Sequence, residues 1–324
     1  MPAKQDIVYL DEELLEGLGI LPREITDCIE DAFAAQAANR LWTVPKSALL
    51  PGDGRYMMTT LSAADAPRYT VIKTAMVSPR NPARGLNGIE ASIILLDSET
   101  GLLRAVMGGN WITGVRTAGL SAVMARRLGN PAAASVAFVG CGVQARSHLQ
   151  AFASIFPLTN VRAFGRGLAN TERLCAMARD IGLSATVAAT AREAIEDADL
   201  IVSSVTLSYD TKPFLDARWL KPGAFTTIAD RGIPWLPDSL SVFDAAYIDS
   251  REQEAASPKP MLPAAMVTGD MAEVLSGKVA ADYDPARRSA FLFRGLAIGD
   301  FAVAALAYET AVVKGQGQRI GPAA

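Results

Sequence analysis

The stretch Val139-Gly140-Cys141-Gly142-Val143-Gln144-Ala145 follows the apolar run SVAFVG and leads straight into a helical pattern. It is a GxGxxG fingerprint with alanine in the place of the third glycine. Gly140 permits a tight turn, Gly142 lets the backbone approach a pyrophosphate, and the small Ala145 lets helix and strand pack closely. Phosphates are attracted to the free N–H groups at the start of such a helix. The stretch therefore predicts a strand-turn-helix unit that binds a dinucleotide.

The residues after this loop supply the context that the fingerprint requires. Apolar runs of strand length alternate there with helical stretches: NVRAFG (160–165), ATVAA (185–189), LIVSSV (200–205), AFTTIAD (224–230) and AAYIDS (245–250). Alternation of this kind predicts a parallel sheet covered by helices on both faces.

The second strand of this half bears on the choice of coenzyme. A carboxylate at its end would hold the ribose 2′-hydroxyl of NAD, but Gly165 and Arg166 stand there. An arginine can accept a 2′-phosphate, so Arg166 is expected near the adenosine ribose. The pattern favours NADP slightly and leaves both coenzymes open.

The residues before the loop have a different pattern. A short strand at Ile7–Leu10 and a helix from Pro22 to Ala38 precede a meander of strands between Trp42 and Met107. A helix then begins near Thr113, with Arg116 at its start. A long alanine-rich helix ends the chain. The fold class is therefore α/β, with a Rossmann dinucleotide-binding domain and a second, discontinuous α+β domain built from the N-terminal segment and the last helix.

Composition limits the classes of function. A chain of 324 residues suits two domains, and its net charge of −3 offers no basic field for nucleic acid. Three cysteines without a CxxC pair and the single His148 predict no metal site, and His148 is interpreted as a packing residue. No apolar run reaches the roughly 18 residues of a membrane span. We expect a cytoplasmic protein with no targeting segment and no membrane or nucleic-acid partner.

Four segments of the chain are distinctive: IKTAMVSPRNPARGL (72–86), LLDSETGLLRAVMGGNWITGVRTAG (95–119), VGCGVQARSHLQA (139–151) and FLFRGLAIGDFAVAALAYE (291–309). Taken together, they resemble the ornithine cyclodeaminase and mu-crystallin family. They stand in the family's order, and the resemblance extends from Arg40 to Asp300. Members include cyclodeaminases, alanine dehydrogenases, imino-acid reductases and a thyroid-hormone-binding crystallin, so the resemblance implies the fold more closely than the substrate.

The resemblance implies a domain division and an assembly. Residues 1–115 and 300–324 would form a substrate-binding and dimerisation domain, and residues 116–299 the NAD(P)-binding Rossmann domain. The protein would be a homodimer whose N-terminal domain supplies the dimer surface and half of the active site.

The resemblance also implies site residues. Lys73 and Arg116 match a basic pair that binds the substrate carboxylate, which suits a guanidinium and an ammonium. Asp230 ends the strand FTTIAD and matches the catalytic aspartate, so Lys73 and Asp230 are the predicted catalytic residues. Each also has a structural alternative: Arg116 could be a surface arginine and Asp230 part of a turn. The predicted contacts to NAD or NADP, from the fingerprint and the resemblance together, are Thr117, Gly140, Gly142, Val143, Gln144, Arg166, Ser204, Val205, Thr206 and Gly295.

The chain departs from the pattern of the family's cyclodeaminases in the meander. Those enzymes carry an arginine after a proline and a glutamate just before a methionine, where this chain has Pro45-Lys46 and Arg55-Tyr56-Met57-Met58. Without that glutamate, the distal ammonium of ornithine or lysine lacks its partner. Surplus positive charge suits a second carboxylate instead. The predicted substrate residues are Lys46, Arg55, Tyr56, Met58, Lys73 and Arg116.

These residues predict an NAD(P)-dependent oxidoreductase acting on CH–NH₂ or C=N groups. The leading hypothesis is a reductase of a small α-imino acid that yields an L-amino acid, with iminosuccinate, giving aspartate, as the foremost substrate. One alternative is a cyclodeaminase, a lyase that uses bound NAD. Another is a crystallin-like protein that binds NADPH and a small ligand without turnover. The presence of Lys73, Arg116 and Asp230 together favours catalysis.

Overall fold

The chain divides into two units, one of them built from both ends of the sequence. The computed structural model describes residues 6–208 and 210–321. Unit 1 comprises Met1–Arg116 and Leu296–Ala324, and unit 2 comprises Thr117–Gly295. The sequence placed residues 296–299 with the nucleotide-binding part, whereas here they belong to unit 1, because the last helix begins at Ala297. The function expected of each unit stays a prediction.

The first part of the chain is a helical segment followed by a meander. Its helices and strands are β1 (Ile7–Leu10), α1 (Glu12–Gly17), α2 (Pro22–Ala37), β2 (Leu41–Leu49), β3 (Tyr56–Ala64), β4 (Tyr69–Val77), β5 (Ile89–Asp97), β6 (Leu103–Gly108) and α3 (Asn110–Leu128).

The remainder alternates between strands and helices until the last helix. Its elements are β7 (Ser135–Val139), α4 (Val143–Ala153), β8 (Asn160–Phe164), α5 (Leu168–Asp180), β9 (Ser184–Val187), α6 (Ala191–Ile195), β10 (Leu200–Ser203), β11 (Phe225–Ile228), β12 (Ala245–Ile248), α7 (Arg251–Ala255), β13 (Val267–Asp270), α8 (Met271–Leu275), β14 (Ser289–Leu292), α9 (Ala297–Lys314) and β15 (Gln318–Ile320).

Unit 1 is built on a seven-stranded sheet with the order β15-β1-β6-β5-β4-β3-β2. The meander β2 to β6 is antiparallel, as the sequence predicts. Side chains alternate between the two faces of each strand, and α9 packs against β2 to β5. Thr60, Ser62, Val71 and Lys73 are buried on alternate positions of β3 and β4. Ser62 Oγ donates to Ala297 O at 3.0 Å, which identifies this as the face that α9 covers.

The start of α3 differs from the prediction. The helix begins at Asn110 instead of near Thr113, because the Glu12 carboxylate accepts from the N–H groups of Asn110 at 2.7 Å and Trp111 at 2.8 Å. A carboxylate from α1 thus caps two N–H groups that no helical partner can satisfy. Arg116 consequently lies in the second turn and does not open the helix, so opposition to the helix dipole is not the reason to assign it a function.

Unit 2 is an eight-stranded sheet with the order β13-β12-β14-β11-β10-β7-β8-β9, and all its strand pairs are parallel. Strands β7, β10, β11, β12 and β14 are almost wholly buried, as expected for a sheet covered on both faces. The chain runs from β7 outward to β8 and β9, then returns to the other side of β7 at β10. Ligands bind at such a reversal in doubly wound sheets, so the carboxyl ends of β7 and β10 mark the expected site.

Two kinds of feature are absent from residues 6–208 and 210–321. No helix there is long and apolar enough to cross a bilayer. No group of three or more His, Cys, Asp or Glu side chains in these residues is placed to hold a metal ion.

Candidate active site

The glycine loop joins the ends of three strands in unit 2. Gly140 has a φ of +88°, and a Cβ there would lie 2.5 Å from Ser204 O, so only glycine fits. Gly140 N donates to Phe164 O at 2.9 Å, and Ser204 N donates to Val139 O at 2.8 Å. The loop is therefore fixed at the carboxyl ends of β7, β8 and β10.

The start of α4 is open for a ligand. Gly142 is its N-cap, no side chain caps the helix, and a Cβ on Gly142 would meet nothing within 4 Å. Gln144 Oε1 is buried, and in the described part of the chain it has no hydrogen-bond partner. Free N–H groups at a helix start, with open space before them, fit the pyrophosphate of a dinucleotide. These features of Gly140, Gly142 and Gln144 suit the predicted cofactor.

A buried carboxylate stands at the end of β11. Asp230 is 1% exposed. Its Oδ2 accepts from Ser203 Oγ at 2.5 Å and from Val205 N at 3.0 Å. Burial raises its pKa to about 6, although these hydrogen bonds act in the opposite direction. Within the described residues its Oδ1 has no partner. A carboxyl group with this pKa can exchange a proton near neutral pH.

A tryptophan orients the hydroxyl that holds Asp230. Trp235 Nε1 donates to Ser203 Oγ at 3.1 Å, and both side chains are buried. This chain of hydrogen bonds fixes Oδ2 and leaves Oδ1 open. Ser203 and Trp235 were not predicted from the sequence, because their contact joins residues 32 positions apart.

Unit 1 holds the predicted basic pair around a buried acid. Lys73 Nζ lies 2.5 Å from Asp300 Oδ1, and Arg116 Nε lies 2.9 Å from the same oxygen. Thr60 Oγ1 donates to the other oxygen, Oδ2, at 3.1 Å. All four residues are buried. The structure therefore brings Lys73 and Arg116 together, and we call Lys73, Arg116 and Asp300 the basic trio.

The trio carries one net positive charge in a buried place. Burial, and then the charge of Arg116, lower the pKa of Lys73 to about 8, although Asp300 acts in the opposite direction. Burial alone would raise the pKa of Asp300, but the two cations and its hydrogen bonds hold that pKa below its usual value. A buried net charge is costly unless a counter-ion joins it. A carboxylate ligand would supply that counter-ion.

The geometry leaves Arg116 donors for such a ligand. Its Nε makes an ion pair with Asp300 but, among the described residues, no hydrogen bond of good geometry. A guanidinium presents five N–H donors in a planar fork, so the remaining nitrogens can bind a carboxylate in bidentate fashion.

Asp300 is a residue that sequence reasoning missed. It is the only charged side chain between Ala297 and Tyr308 in α9. A lone acid in an apolar helix calls for a buried cation, and this was the available indication.

The other predicted substrate residues are unequally placed. Tyr56 and Met58 alternate with Thr60 along β3, so they lie on the same face of the sheet as Lys73. The register of β2 against β3 moves from Val44↔Leu61 to Ser47↔Thr59. Pro45 and Lys46 therefore form a β-bulge against the single residue Thr60, which puts Lys46 two strands and roughly 10 Å from Lys73.

Arg55 is not brought to the basic trio. Its Nε donates to both oxygens of Asp53, at 3.0 and 2.8 Å, in an exposed turn where Arg80 also pairs with Asp53. Thr60 pairs with Lys73 across the strands. Arg55 precedes Thr60 by five residues, or roughly 17 Å of extended chain. A local ion pair thus takes up a side chain that the sequence assigned to the substrate.

The remaining predicted cofactor residues lie at several places in unit 2. Ser204, Val205 and Thr206 directly follow β10, and Gly295 ends the unit with a φ of +92°. Gly295 N donates to Asp249 Oδ2 at 2.9 Å. Thr117 is buried in α3, whereas Val143 and Arg166 are exposed after β7 and β8.

His148 is buried beneath the glycine loop. One ring nitrogen, Nδ1, lies 2.7 Å from Gln144 O, and the other, Nε2, lies 2.8 Å from Ser121 Oγ. Burial lowers its pKa to about 4. A neutral, hydrogen-bonded imidazole inside the unit is consistent with a packing residue.

A doubly wound sheet with a glycine loop at its switch point and a buried carboxylate beside it defines the class: an NAD(P)-dependent dehydrogenase or reductase. The chain belongs to the ornithine cyclodeaminase/mu-crystallin family, whose sequence profile matches residues 8–315.

Similar proteins agree with this assignment. Ketimine reductase mu-crystallin of Mus musculus is 32% identical over 258 residues, 78% of this chain and 79% of its own. A solved archaeal alanine dehydrogenase, a dimer with bound NAD, has a TM-score of 0.86 at 26% identity and covers 98% of this chain and 99% of its own. The reductase of Δ1-pyrroline-2-carboxylate from Thermococcus litoralis, solved with NADH and L-proline, shows the same fold, with a TM-score of 0.88 at 23% identity over 97% of this chain and 100% of its own.

These findings confirm the family and the α/β fold that the sequence predicts. They also confirm the enzyme class, an NAD(P)-dependent oxidoreductase, and a nicotinamide dinucleotide as its cofactor. The predicted roles of individual site residues stay predictions.

Proposed function

We propose that the protein is an NAD(P)H-dependent reductase of a small α-imino acid and that its product is an L-amino acid. The observation that carries the proposal is the basic trio. Lys73 and Arg116 are buried around a single acid, Asp300, so the trio has one net positive charge that an anion can neutralise. The α-carboxylate common to imino and amino acids is such an anion. The mouse relative, a ketimine reductase, points to the same class of substrate.

The residues divide the chemistry between binding and proton transfer. The hydride for the carbon of the substrate's C=N bond would come from NAD(P)H when that coenzyme is bound. Arg116 and Lys73 hold the α-carboxylate and thereby orient that carbon. Asp230 delivers the proton that the nitrogen requires in reduction and takes one in the reverse reaction. The N–H groups after Gly142 hold the coenzyme's pyrophosphate.

The substrate proposed first is an imine with two carboxylates, such as iminosuccinate, which gives L-aspartate. Lys46 supports this choice, because the β2 bulge puts it on a strand next to Thr60, near Lys73. Arg55 supports it less, since Asp53 already neutralises its charge.

A homodimer formed through the sheet of unit 1 is part of the proposal. Val44, Leu61, Ile72, Ile94 and Val106 are successive cross-strand partners on the face opposite Lys73. Val44 is 52% exposed, Leu61 40% and Ile94 38%. A continuous apolar row of this kind typifies a protein interface. Light scattering should give the mass of two chains, and Leu61→Asp should give one. Val187→Asp, an exposed valine of unit 2, should stay dimeric, and a monomeric unaltered protein would contradict this part.

The activity is tested by reduced-coenzyme oxidation with ammonia and oxaloacetate, pyruvate or glyoxylate, and with cyclic imino acids. Oxaloacetate with ammonia should support the fastest oxidation, and Lys46→Ala should remove that preference while pyruvate turnover is kept. Lys278→Ala, an exposed lysine of unit 2, serves as the control for charge.

Two other outcomes would overturn the proposed function. Release of ammonia from ornithine without net NADH formation would identify a cyclodeaminase. Coenzyme binding without turnover on any substrate of the panel would identify a binding protein.

A further inference from the structure

Three arginines flank the end of β8 in unit 2. Arg146 lies in the first turn of α4, Arg166 follows β8 directly, and Arg173 lies in α5. Within residues 6–208 and 210–321, none of the three forms an ion pair with an acid. The usual ribose-binding carboxylate is also missing from the end of this strand, where Gly165 and Arg166 stand. The region is therefore positively charged without an internal counter-ion.

Backbone contacts hold these elements together around the glycine loop. Gly140 N donates to Phe164 O at 2.9 Å, which ties the loop to the last residue of β8. A Cβ on Gly165 would lie 3.1 Å from Thr171 Oγ1 and 3.3 Å from Cys141 Sγ, so the start of α5 lies against the loop. The helices α4 and α5 also contact each other. The adenosine end of a dinucleotide held by this loop would reach the same edge of the sheet.

Arg146 gives the most specific evidence. Its Nη1 is buried, and in the described part of the chain it has no hydrogen-bond partner. A side chain in the first turn of a helix leans towards the helix N-terminus, which here is the glycine loop. Positive charge is unfavourable at that end of a helix. A buried, unpartnered guanidinium nitrogen at such a place needs an anion to offset its cost.

Repulsion between Arg146 and Arg173 adds to the free-energy cost of burying the Arg146 guanidinium. Burial, and then the nearby charge of Arg173, lower the pKa of Arg146 from its usual value. The two guanidinium groups are thus close enough to affect each other. One phosphate dianion between them would turn the repulsion into two charge-assisted contacts.

We propose that Arg146, Arg166 and Arg173 form a site for the 2′-phosphate of NADP(H), so that the enzyme uses NADPH in preference to NADH. Guanidinium groups bind phosphate in bidentate fashion and keep their charge at any physiological pH. NAD(H) offers only a hydroxyl at this position and leaves the three cations without a counter-ion. The inference rests on the proposed function for its coenzyme, but it concerns which coenzyme binds.

Calorimetric titration with two fragments tests the site without any turnover. Adenosine 2′,5′-bisphosphate should bind at least about tenfold more tightly than ADP, since one charge-assisted contact exceeds 1.4 kcal/mol. Arg166→Ala and Arg173→Ala should each reduce that preference, and Arg166→Asp should abolish it. Arg192→Ala removes the same charge from unit 2 at an exposed Arg192–Glu196 pair, and it should leave the preference unchanged.

Arg146→Ala could disturb packing, so Arg146→Lys accompanies it as the milder variant. Arg146→Lys should keep the fold, and it should weaken the binding of adenosine 2′,5′-bisphosphate more than the binding of ADP. Equal affinity of the unaltered protein for the two fragments would overturn the proposal, as would a preference that survives Arg166→Asp.

Failure of this inference can be distinguished from failure of the proposed function. A 2′-phosphate preference without imine reduction would refute the activity and keep the phosphate site. Imine reduction with equal use of NADH and NADPH would support the proposed activity and refute the 2′-phosphate site.

Discussion

Lys73 Nζ lies 2.5 Å from Asp300 Oδ1, although the two residues are 227 positions apart in the sequence. The ion pair is 1% exposed at both ends and shares its carboxylate oxygen with Arg116. A buried ammonium without this carboxylate would lose its proton far more readily. Asp300 therefore keeps Lys73 charged, and a charged Lys73 is what the proposed carboxylate site requires.

Asp300→Asn should move the pH dependence of substrate binding to lower pH. The pKa of Lys73 is about 8, lowered by burial and by Arg116 and raised by Asp300. Without the carboxylate this pKa falls further, so Lys73 loses its charge at a lower pH. KM for the imino acid, measured against pH, should begin to rise at about pH 8 in the unaltered enzyme. In the variant it should begin to rise at a clearly lower pH.

Thr60→Val is the matched control for that experiment. It removes one hydrogen bond to Asp300 but keeps the carboxylate beside Lys73. Its KM profile should stay close to that of the unaltered enzyme. If Asp300→Asn did not change the pH profile of KM, the assigned effect of Asp300 on the pKa of Lys73 would be wrong.

Asp230→Asn should lower kcat by roughly 10² to 10⁴ while coenzyme binding persists, because the amide cannot transfer the proton. In the unaltered enzyme the carboxyl group is protonated below its pKa of about 6. Reduction should therefore slow as the pH rises through about 6, and amino-acid oxidation should accelerate over the same range. Steady-state rates in both directions against pH would show this, and two flat profiles would rule out Asp230 as the proton carrier.

Ser203→Ala should shift this titration to higher pH. The hydroxyl donates to Asp230 Oδ2 and lowers its pKa against the effect of burial. The change should also cost about 1–3 kcal/mol of stability, since it leaves the buried Nε1–H of Trp235 without its partner and removes one of the two hydrogen bonds to Asp230 Oδ2. Thermal unfolding and the pH profile of reduction measure the two effects.

Thr226→Val provides the comparison in the adjacent strand. Thr226 Oγ1 is buried and, among the described residues, has no hydrogen-bond partner. Replacing its hydroxyl by a methyl group should leave stability unchanged or raise it. If Ser203→Ala and Thr226→Val behaved alike, the hydrogen bond to Asp230 would have no special role.

Arg116→Lys should weaken the binding of the imino acid and leave coenzyme affinity intact. A lysine keeps the charge but loses the planar fork that binds a carboxylate through two donors. KM should rise by at least about tenfold, the effect of losing one charge-assisted hydrogen bond. An unchanged KM would remove Arg116 from the substrate site.

Local sequence was sufficient where the chemistry is local. The glycine loop follows the buried strand β7 directly, so the fingerprint and the alternating pattern predicted its position. Asp230 was assigned through the resemblance to the family, and its role stays a prediction. The antiparallel meander could also be predicted, because short apolar runs and the turns between them are patterns of consecutive residues.

Contacts between residues far apart in the sequence could not be predicted from such local patterns. The Glu12 cap fixes the start of α3 from 98 residues away, and Asp300 meets Lys73 only when α9 packs on β4. Arg55 illustrates the same limit: the sequence assigned it to the substrate from its position in the meander, and the structure adds that Asp53, two residues earlier, binds its guanidinium. Its role in substrate binding stays a prediction. Pattern analysis identifies elements, whereas which side chains meet is decided by packing.

The most direct test of the central claim compares two imines that differ only in the carboxylate. Reduction of Δ1-pyrroline-2-carboxylate and of Δ1-pyrroline, each measured as kcat/KM with the purified enzyme, isolates what the basic trio recognises. We expect a preference of at least about 100-fold for the carboxylated imine, the effect of roughly two charge-assisted contacts. Equal values would contradict it, because Lys73 and Arg116 would then contribute nothing to substrate recognition.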